Sequence, residues 1–577
     1  MTHRIHLIGG TFLLALLIAV GTSVVGACSD DDNASGVDAG TDASDAQALV
    51  DASQGDGSAG DAGEPIVVTS QSRSYPVPLS EPNPVTGQQA PSETATISVT
   101  RFWARNGTRP TQAIVLAYPG AALGVGSYAE LAQNLIVRSK GAIELWAYER
   151  RSNVLEDRVG IDAAKRGGDV NIATGYYADG QVVDGHVFRG VIDPTEPSYM
   201  SEWGLAQEVR DLSMVLHFVD EEKRKTNVIL VGFSLGAPIL SDFAAWDFDG
   251  QKGSNDLAGI VMLDGGGLRQ SLTEDEYHHE GCVGSLGLSL GLDDLRAHGP
   301  YYQQPGLDAG FWLALEIAGM RASGLYGDPT VEIQDPFIKD MVSISEDKAG
   351  LRFTARAALG LMVDEQFSPA LVMRTSVGTA VGGDLEEYYN PFSGEDLMRP
   401  ADTNVVYSWQ EYDQTDPPEL TSLGDVAGAI LAGPTGGLEW YPPVRLTLDQ
   451  CAVDSLDVVA SDEDYRWKLG LRVTHNSEMD APVFFFFAEY GEIFDMQFVE
   501  NYRLSLPPVG PDRPNAGAAR DPSLPAYESG FALIVAPKFH HLDAILAASE
   551  KGETYLYGPL VDFILANTQG IVSGELP

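Results

Sequence analysis

The stretch VILVGFSLGAPIL, Val228 to Leu240, governs how the rest of the chain is read. Its first four residues are apolar and mostly β-branched, which suits a buried strand. Gly232-Phe233-Ser234-Leu235-Gly236 follows, and then a helical pattern with Leu235, Ile239, Leu240, Phe243 and Trp246 on one side. Pro238 falls in the first helical turn, where a missing N–H costs little. A strand, a tight turn with serine at its tip and a helix leaving at once present the hydroxyl on a strained corner. The flanking glycines fit, because a Cβ there would clash where strand and helix nearly touch. In a chain with 62 glycines the five-residue pattern alone says little, so the setting carries the argument.

Outward from this point, strands and helices alternate from about Pro65. Thr96 to Ala104 (TISVTRFWA) is an early strand, and Ala113 to Gly124 (AIVLAYPGAALG) is a buried strand running into a Gly-rich turn. A helix follows with Tyr128, Leu131, Leu135 and Ile136 on one face, then a strand and loop over Ala142 to Asn153. The run from Trp203 to Lys225 predicts one amphipathic helix, with Leu205, Val209, Leu212, Leu216 and Val219 three to four residues apart. Leu257 to Gly267 is another strand. This alternation predicts an α/β fold with a parallel sheet and helices on both faces.

The N-terminus reads as an export signal. A short basic start with Arg4 precedes an apolar stretch, Thr11 to Val25, and then Val25-Gly26-Ala27-Cys28. That ending resembles a bacterial lipobox, so 1–27 is expected to be a signal peptide and Cys28 a lipidated N-terminus. Ser29 to Glu64 holds ten acidic residues, no Lys or Arg and no aromatic residue. Such a segment buries too little apolar area to offset its ordering entropy, so 28–65 is expected to be a disordered tether. The expected location is the cell envelope, anchored to a membrane by lipid; Ser29, rather than Asp, after Cys28 favours the outer membrane. The net charge of −46 argues against nucleic acid as a partner, because phosphate binding needs clustered Lys and Arg. With Cys28 lipidated, Cys282 and Cys451 remain, and a pair in an exported protein suggests a disulfide; two buried free thiols are the alternative. No Cys/His spacing suggests a metal, and no Gly-rich phosphate loop suggests a nucleotide, so no cofactor is implied.

The strand, the PGAALG turn, the strand ending in Glu149-Arg150-Arg151-Ser152-Asn153 and the VGFSLGA turn together resemble the α/β-hydrolase superfamily. The resemblance covers roughly Thr96 to Gly267 and resumes near Pro482. It implies a core in two parts, 66–267 and 481–577, interrupted by a large, mainly helical lid over 268–480. Within that lid, AGFWLALEIAGMRASGLYG and FTARAALGLMV read as helices.

The resemblance also implies a triad in the chain order serine, acid, histidine. Ser234 is the expected nucleophile. GFALIVAPKFHHLDAIL, Gly530 to Leu546, reads as the last strand and its histidine loop. His541-Leu542-Asp543 looks like the His-Leu-Asp run of acid lipases, favouring His541 over His540 as the base. The acid is open. Gly491 stands where the family most often has Asp after the late strand; Glu492 is one residue on and Asp495 further. The other family option, an acid at the end of the strand after the elbow, fits Asp264. Leu235 and Ala121 are the expected oxyanion-hole donors through their backbone N–H groups. The expected activity is carboxylester hydrolysis, esterase- or lipase-like, on a small-molecule or lipid ester. Amide or peptide cleavage is the alternative within enzymes, and an inactive hydrolase fold used for binding is the alternative outside them.

Overall fold

The computed structural model describes residues 64–193, 196–266, 272–284, 287–298, 300–302, 308–334, 338–339, 350–391, 393–453, 459, 462–491 and 496–577, with the pair Gln47–Ala48. Residues 1–27 and Cys28 lie outside these, as do Glu492 and Asp495.

The apolar, β-branched and aromatic runs form the strands of a central sheet: β1 (Val68–Pro76), β2 (Thr96–Ala104), β3 (Ala113–Tyr118), β4 (Ile143–Glu149), β5 (Val228–Phe233), β6 (Gly259–Leu263), β7 (Val483–Ala488) and β8 (Phe531–Ala536). Their order is β1-β2-β4-β3-β5-β6-β7-β8. β2 is antiparallel to both neighbours, and every pairing from β4 to β8 is parallel. This is the α/β-hydrolase arrangement. Strands β3 to β7 are buried along their whole length, which is why they read as unbroken apolar runs rather than alternating ones. Gln47–Ala48, inside the stretch expected to be an unstructured tether, adds two residues antiparallel to β1.

Helices cover the sheet: α1 (Ala129–Arg138), α2 (Leu205–Leu216), α3 (Gly236–Ala245) and α4 (Gly558–Ala566). The helix expected over Trp203–Lys225 is two. α2 stops at Leu216, and Glu221–Asn227 forms a second short helix leading into β5. Asp220 starts that second helix by accepting from the Lys223 N–H through its carbonyl, and Arg224 Nε donates to the Val219 carbonyl. Helix α3 is buried on every side, as its apolar composition requires.

The insertion between β6 and β7 holds more helix than strand among the described residues. Ala309–Ala322, Ala355–Val363, Leu423–Leu431 and Val444–Ala452 are its main helices. It also carries strands the sequence reading did not anticipate: Gly378–Val381 pairs with Val406–Glu411, and Leu385–Asn390 with Glu395–Pro400. The second hairpin is half exposed on both faces and shows no apolar alternation to betray it. By its packing the chain from Asp45 to Pro577 is one unit, insertion included. No helix among the described residues is long and apolar enough to cross a membrane.

Cys282 and Cys451 are joined as a disulfide across 169 residues, both inside the insertion. Closing so long a loop restricts the unfolded chain and is worth about 4–5 kcal/mol on the loop-entropy model. The Cys282→Ser/Cys451→Ser protein should therefore unfold at lower denaturant, read by circular dichroism. The unfolded wild type should take up alkylating reagent at these two positions only after reduction.

Candidate active site

The serine sits where strand, turn and helix meet. Ser234 has φ 53°, a left-handed conformation that a side-chain-bearing residue adopts only under constraint. Its N–H donates to the Leu263 carbonyl at 3.0 Å, tying the turn to the end of β6. The two glycines of the motif are dictated by close approach. A Cβ on Gly232 would lie 2.5 Å from the Gly236 carbonyl oxygen, and one on Gly236 would lie 2.6 Å from that of Tyr118. Leu235, which opens α3, and Ala121, in the turn after β3, have backbone N–H groups with no hydrogen-bond partner among the described residues.

Asp264 ends β6, fully buried, with φ 41°. Its N–H donates to the Phe486 carbonyl at 2.8 Å, and its Oδ1 accepts from the Ala488 N–H at 2.9 Å, so β7 holds it from two sides. Its Oδ2 lies 2.5 Å from His541 Nδ1. Asp264 is the acid among the described residues that meets the histidine; Glu492 and Asp495 lie outside them. A Cβ on Gly491 would come within 2.4 Å of Asp264 Oδ2, so the place after β7 is kept empty for a carboxylate arriving from β6.

His541 lies in the loop after β8, and its ring packs 4.6 Å from that of Phe233, the neighbour of Ser234. Nδ1 faces a carboxylate oxygen, which accepts, so in a neutral ring the proton sits on Nδ1 and the lone pair on Nε2. Nε2 is buried and has no hydrogen-bond partner among the described residues, Ser234 Oγ included. His540 differs in kind. Its ring lies tilted 5.3 Å from that of Tyr490, and burial together with the Arg374 charge pushes it down to about 4.

Sequence reasoning gave Asp543 no role of its own. Its buried carboxylate accepts from Thr375 Oγ1 and Thr421 Oγ1, both at 2.6 Å, from the His540 N–H at 2.8 Å and from the Ser376 N–H at 3.2 Å. Thr375, Ser376 and Thr421 belong to the insertion, so this carboxylate fastens the histidine loop to it. Burial pushes Asp543 up to about 7, and burial together with Glu365 pushes nearby Glu419 up to about 8. Glu419, Asp364 and Glu365 are the one trio among the described residues whose acidic oxygens lie close enough together, within 4.8 Å, to hold a cation. The Asp364 oxygens each accept one backbone N–H, from Gln366 at 3.0 Å and Val377 at 3.3 Å.

No protein-family model matches the chain, and no curated protein matches it significantly in sequence. Solved structures similar to it include the peroxisomal α/β-hydrolase of Saccharomyces cerevisiae, at 8% identity over 89% of this chain and 93% of that one, with a TM-score of 0.35. A soluble variant of the monoglyceride lipase of Saccharomyces cerevisiae, in complex with a substrate analogue, is 12% identical over 82% of this chain and 92% of that one, with a TM-score of 0.28. The monoacylglycerol lipase of Paleococcus ferrophilus is 8% identical over 80% and 98%, also with a TM-score of 0.28.

The raised acids set a direction for stability against pH. Asp543 at about 7, Glu208 at about 7 and Glu419 and Glu130 at about 8 all exceed the unfolded carboxylate value of about 4. The folded state then holds more protons than the unfolded one, and stability falls as pH rises through these values. His540 acts oppositely, but only below its unfolded value of about 6.5. Thermal melts between pH 6.5 and 8 should thus show a midpoint that falls with pH, and Asp543→Asn should make the fall shallower.

Proposed function

We propose that this protein is a serine hydrolase that cleaves carboxylic esters through an acyl-enzyme. Ser234 is the nucleophile, His541 the general base and Asp264 the acid that orients it. The observation that carries this reading is the 2.5 Å contact of His541 Nδ1 with buried Asp264, with Nε2 left unpartnered and the ring packed on Phe233, the residue before a left-handed Ser234. In the first step His541 Nε2 takes the Ser234 proton as Oγ attacks the ester carbonyl. Asp264 stabilises the imidazolium without itself becoming protonated. The Leu235 and Ala121 N–H groups face the oxyanion. The tetrahedral intermediate collapses with His541 returning the proton to the leaving alcohol, and water repeats the sequence on the acyl-enzyme.

Hydrolysis of short and long p-nitrophenyl esters, with fluorophosphonate labelling alongside, tests this. Ser234→Ala should fold normally and lose both labelling and turnover. His541→Ala should lose nearly as much, and Asp264→Asn about 10⁴-fold in kcat through a misoriented imidazole. His540→Ala should cost far less. A wild type inert to every ester and to fluorophosphonate would favour a binding role for the fold. Turnover of p-nitroanilides in place of esters would shift the reading to an amidase.

We further propose that the mature chain begins at a lipidated Cys28 and is held at the cell envelope, on the outer membrane, by that lipid. The lipobox-like Val25-Gly26-Ala27-Cys28 and the acidic stretch behind it support this. Intact mass of the protein from the membrane fraction should show a diacyl or triacyl modification at Cys28. A soluble mature form starting elsewhere would refute it.

A further inference from the structure

The turn that carries Ala121 is held from behind by one buried arginine. Arg150, at the end of β4, donates through Nη1 to the Pro119 carbonyl at 3.1 Å. Through Nη2 it donates to the carbonyls of Gly120 at 2.6 Å and Leu123 at 3.4 Å. Its guanidinium also lies 5.5 Å from the centre of the Tyr118 ring, the residue that ends β3. The Gly120 contact matters most. The Gly120 carbonyl and the Ala121 N–H belong to one planar, trans peptide, so they point in opposite directions. Pinning that carbonyl to a cation aims the Ala121 N–H away from Arg150. It also polarises the peptide and makes the N–H a stronger donor.

Arg150 is itself placed by the insertion. Its Nε donates to both carboxylate oxygens of Glu439, at 3.0 and 3.2 Å, and its Nη2 closes the pair. Ser152 Oγ donates to the same carboxylate. Both charged side chains are buried, 2% and 0% exposed. Glu439 also grips the turn through its backbone, its N–H donating to the Ala122 carbonyl at 3.0 Å. The residues before it continue the seam: the Gly124 N–H donates to the Gly437 carbonyl at 2.9 Å and the Gly126 N–H to that of Gly436 at 3.0 Å.

We propose that Glu439, a residue of the insertion, is a positioning residue for catalysis: through Arg150 it fixes the Gly120–Ala121 peptide and so aims the Ala121 N–H at the oxyanion. This rests on the reading of Ser234 as nucleophile. The insertion then completes the oxyanion hole. A group that only aims a donor at the transition state acts on kcat and leaves substrate binding alone.

The test is steady-state hydrolysis of the p-nitrophenyl ester that wild type cleaves best, using full-length protein and the variants Glu439→Gln and Ser152→Ala. Glu439→Gln keeps an acceptor for Arg150 but removes the charge. It should lower kcat about 10- to 100-fold, short of the roughly 10²- to 10³-fold seen when a donor is deleted outright, with KM little changed. Affinity for a trifluoromethyl ketone of matching acyl chain, which binds as an oxyanion, should fall in step with kcat/KM. Ser152→Ala removes one contact to the carboxylate and leaves the ion pair, so it should fold and lose a smaller part of kcat in the same pattern. It decides the matter if Glu439→Gln fails to fold. Wild-type kcat in both variants, or a loss confined to KM, overturns the proposal while wild type remains an active hydrolase. A wild type inert to esters overturns the hydrolase reading, and this inference with it.

Discussion

The Asp264 carboxyl group lies wholly inside the protein, and a buried polar group is tolerated only where hydrogen bonds replace its lost hydration. Here the Ala488 N–H supplies one bond and the His541 imidazole the other. Both must arrive from elsewhere in the chain, and that requirement organises the head of the sheet. β7 has to stand in register with β6 for Ala488 to reach Asp264, and β8 has to lie beside β7 so that its following loop returns His541 over Phe233. Gly491 has to remain without a side chain. One carboxylate thus constrains three strands, a loop and a glycine.

A second set of buried charges ties the insertion to the core. Arg158 reaches Glu156 at 2.9 Å and Glu316 at 3.0 Å, and Trp440 donates to Glu316 through its indole and to Glu156 through its backbone. Arg445 pairs with Asp449, whose other oxygen accepts from the Leu205 N–H at the start of α2. Such pairs add little net stability over apolar packing, but removing one partner costs about 3–5 kcal/mol because the other is left buried and uncompensated. Their effect is selective: they favour one seating of the insertion on the core and penalise others. Asp543 does the same at the histidine loop, where Thr375, Ser376 and Thr421 meet it.

Much of this was legible before any coordinates. The β-branched run into Gly232 and the apolar helix after Ser234 are local signals, and strand, elbow and helix follow them closely. The alternation of strands and helices announced a parallel sheet covered on both faces, but neither its strand order nor the antiparallel β2. The carboxylate that faces His541 was less legible, because no local pattern pairs the end of β6 with the loop after β8. Gly491 was the available clue: a glycine where an acid is usual marks a site filled from another strand. Arg150 and Glu439 are separated by most of the insertion, and nothing in either neighbourhood announces the pairing. The break after Leu216 was hidden because Val219 continues the apolar spacing of α2 although the backbone has already turned.

The pairing of β6 with β7 also bears on how the chain acquires its shape during synthesis. Ile260 to Leu263 stands opposite Val483 to Phe486, and the whole insertion lies between them in sequence. At about 5–20 residues per second, β6 waits roughly ten to forty seconds after it is made before its partner leaves the ribosome. Until then an apolar strand edge stands open, the kind of surface that recruits neighbouring chains. When β7 does appear it brings Val483-Phe484-Phe485-Phe486-Phe487, as apolar and as fully buried in the end as any strand in the sheet. The insertion therefore makes the nascent core dependent on whatever shields that edge in the interval.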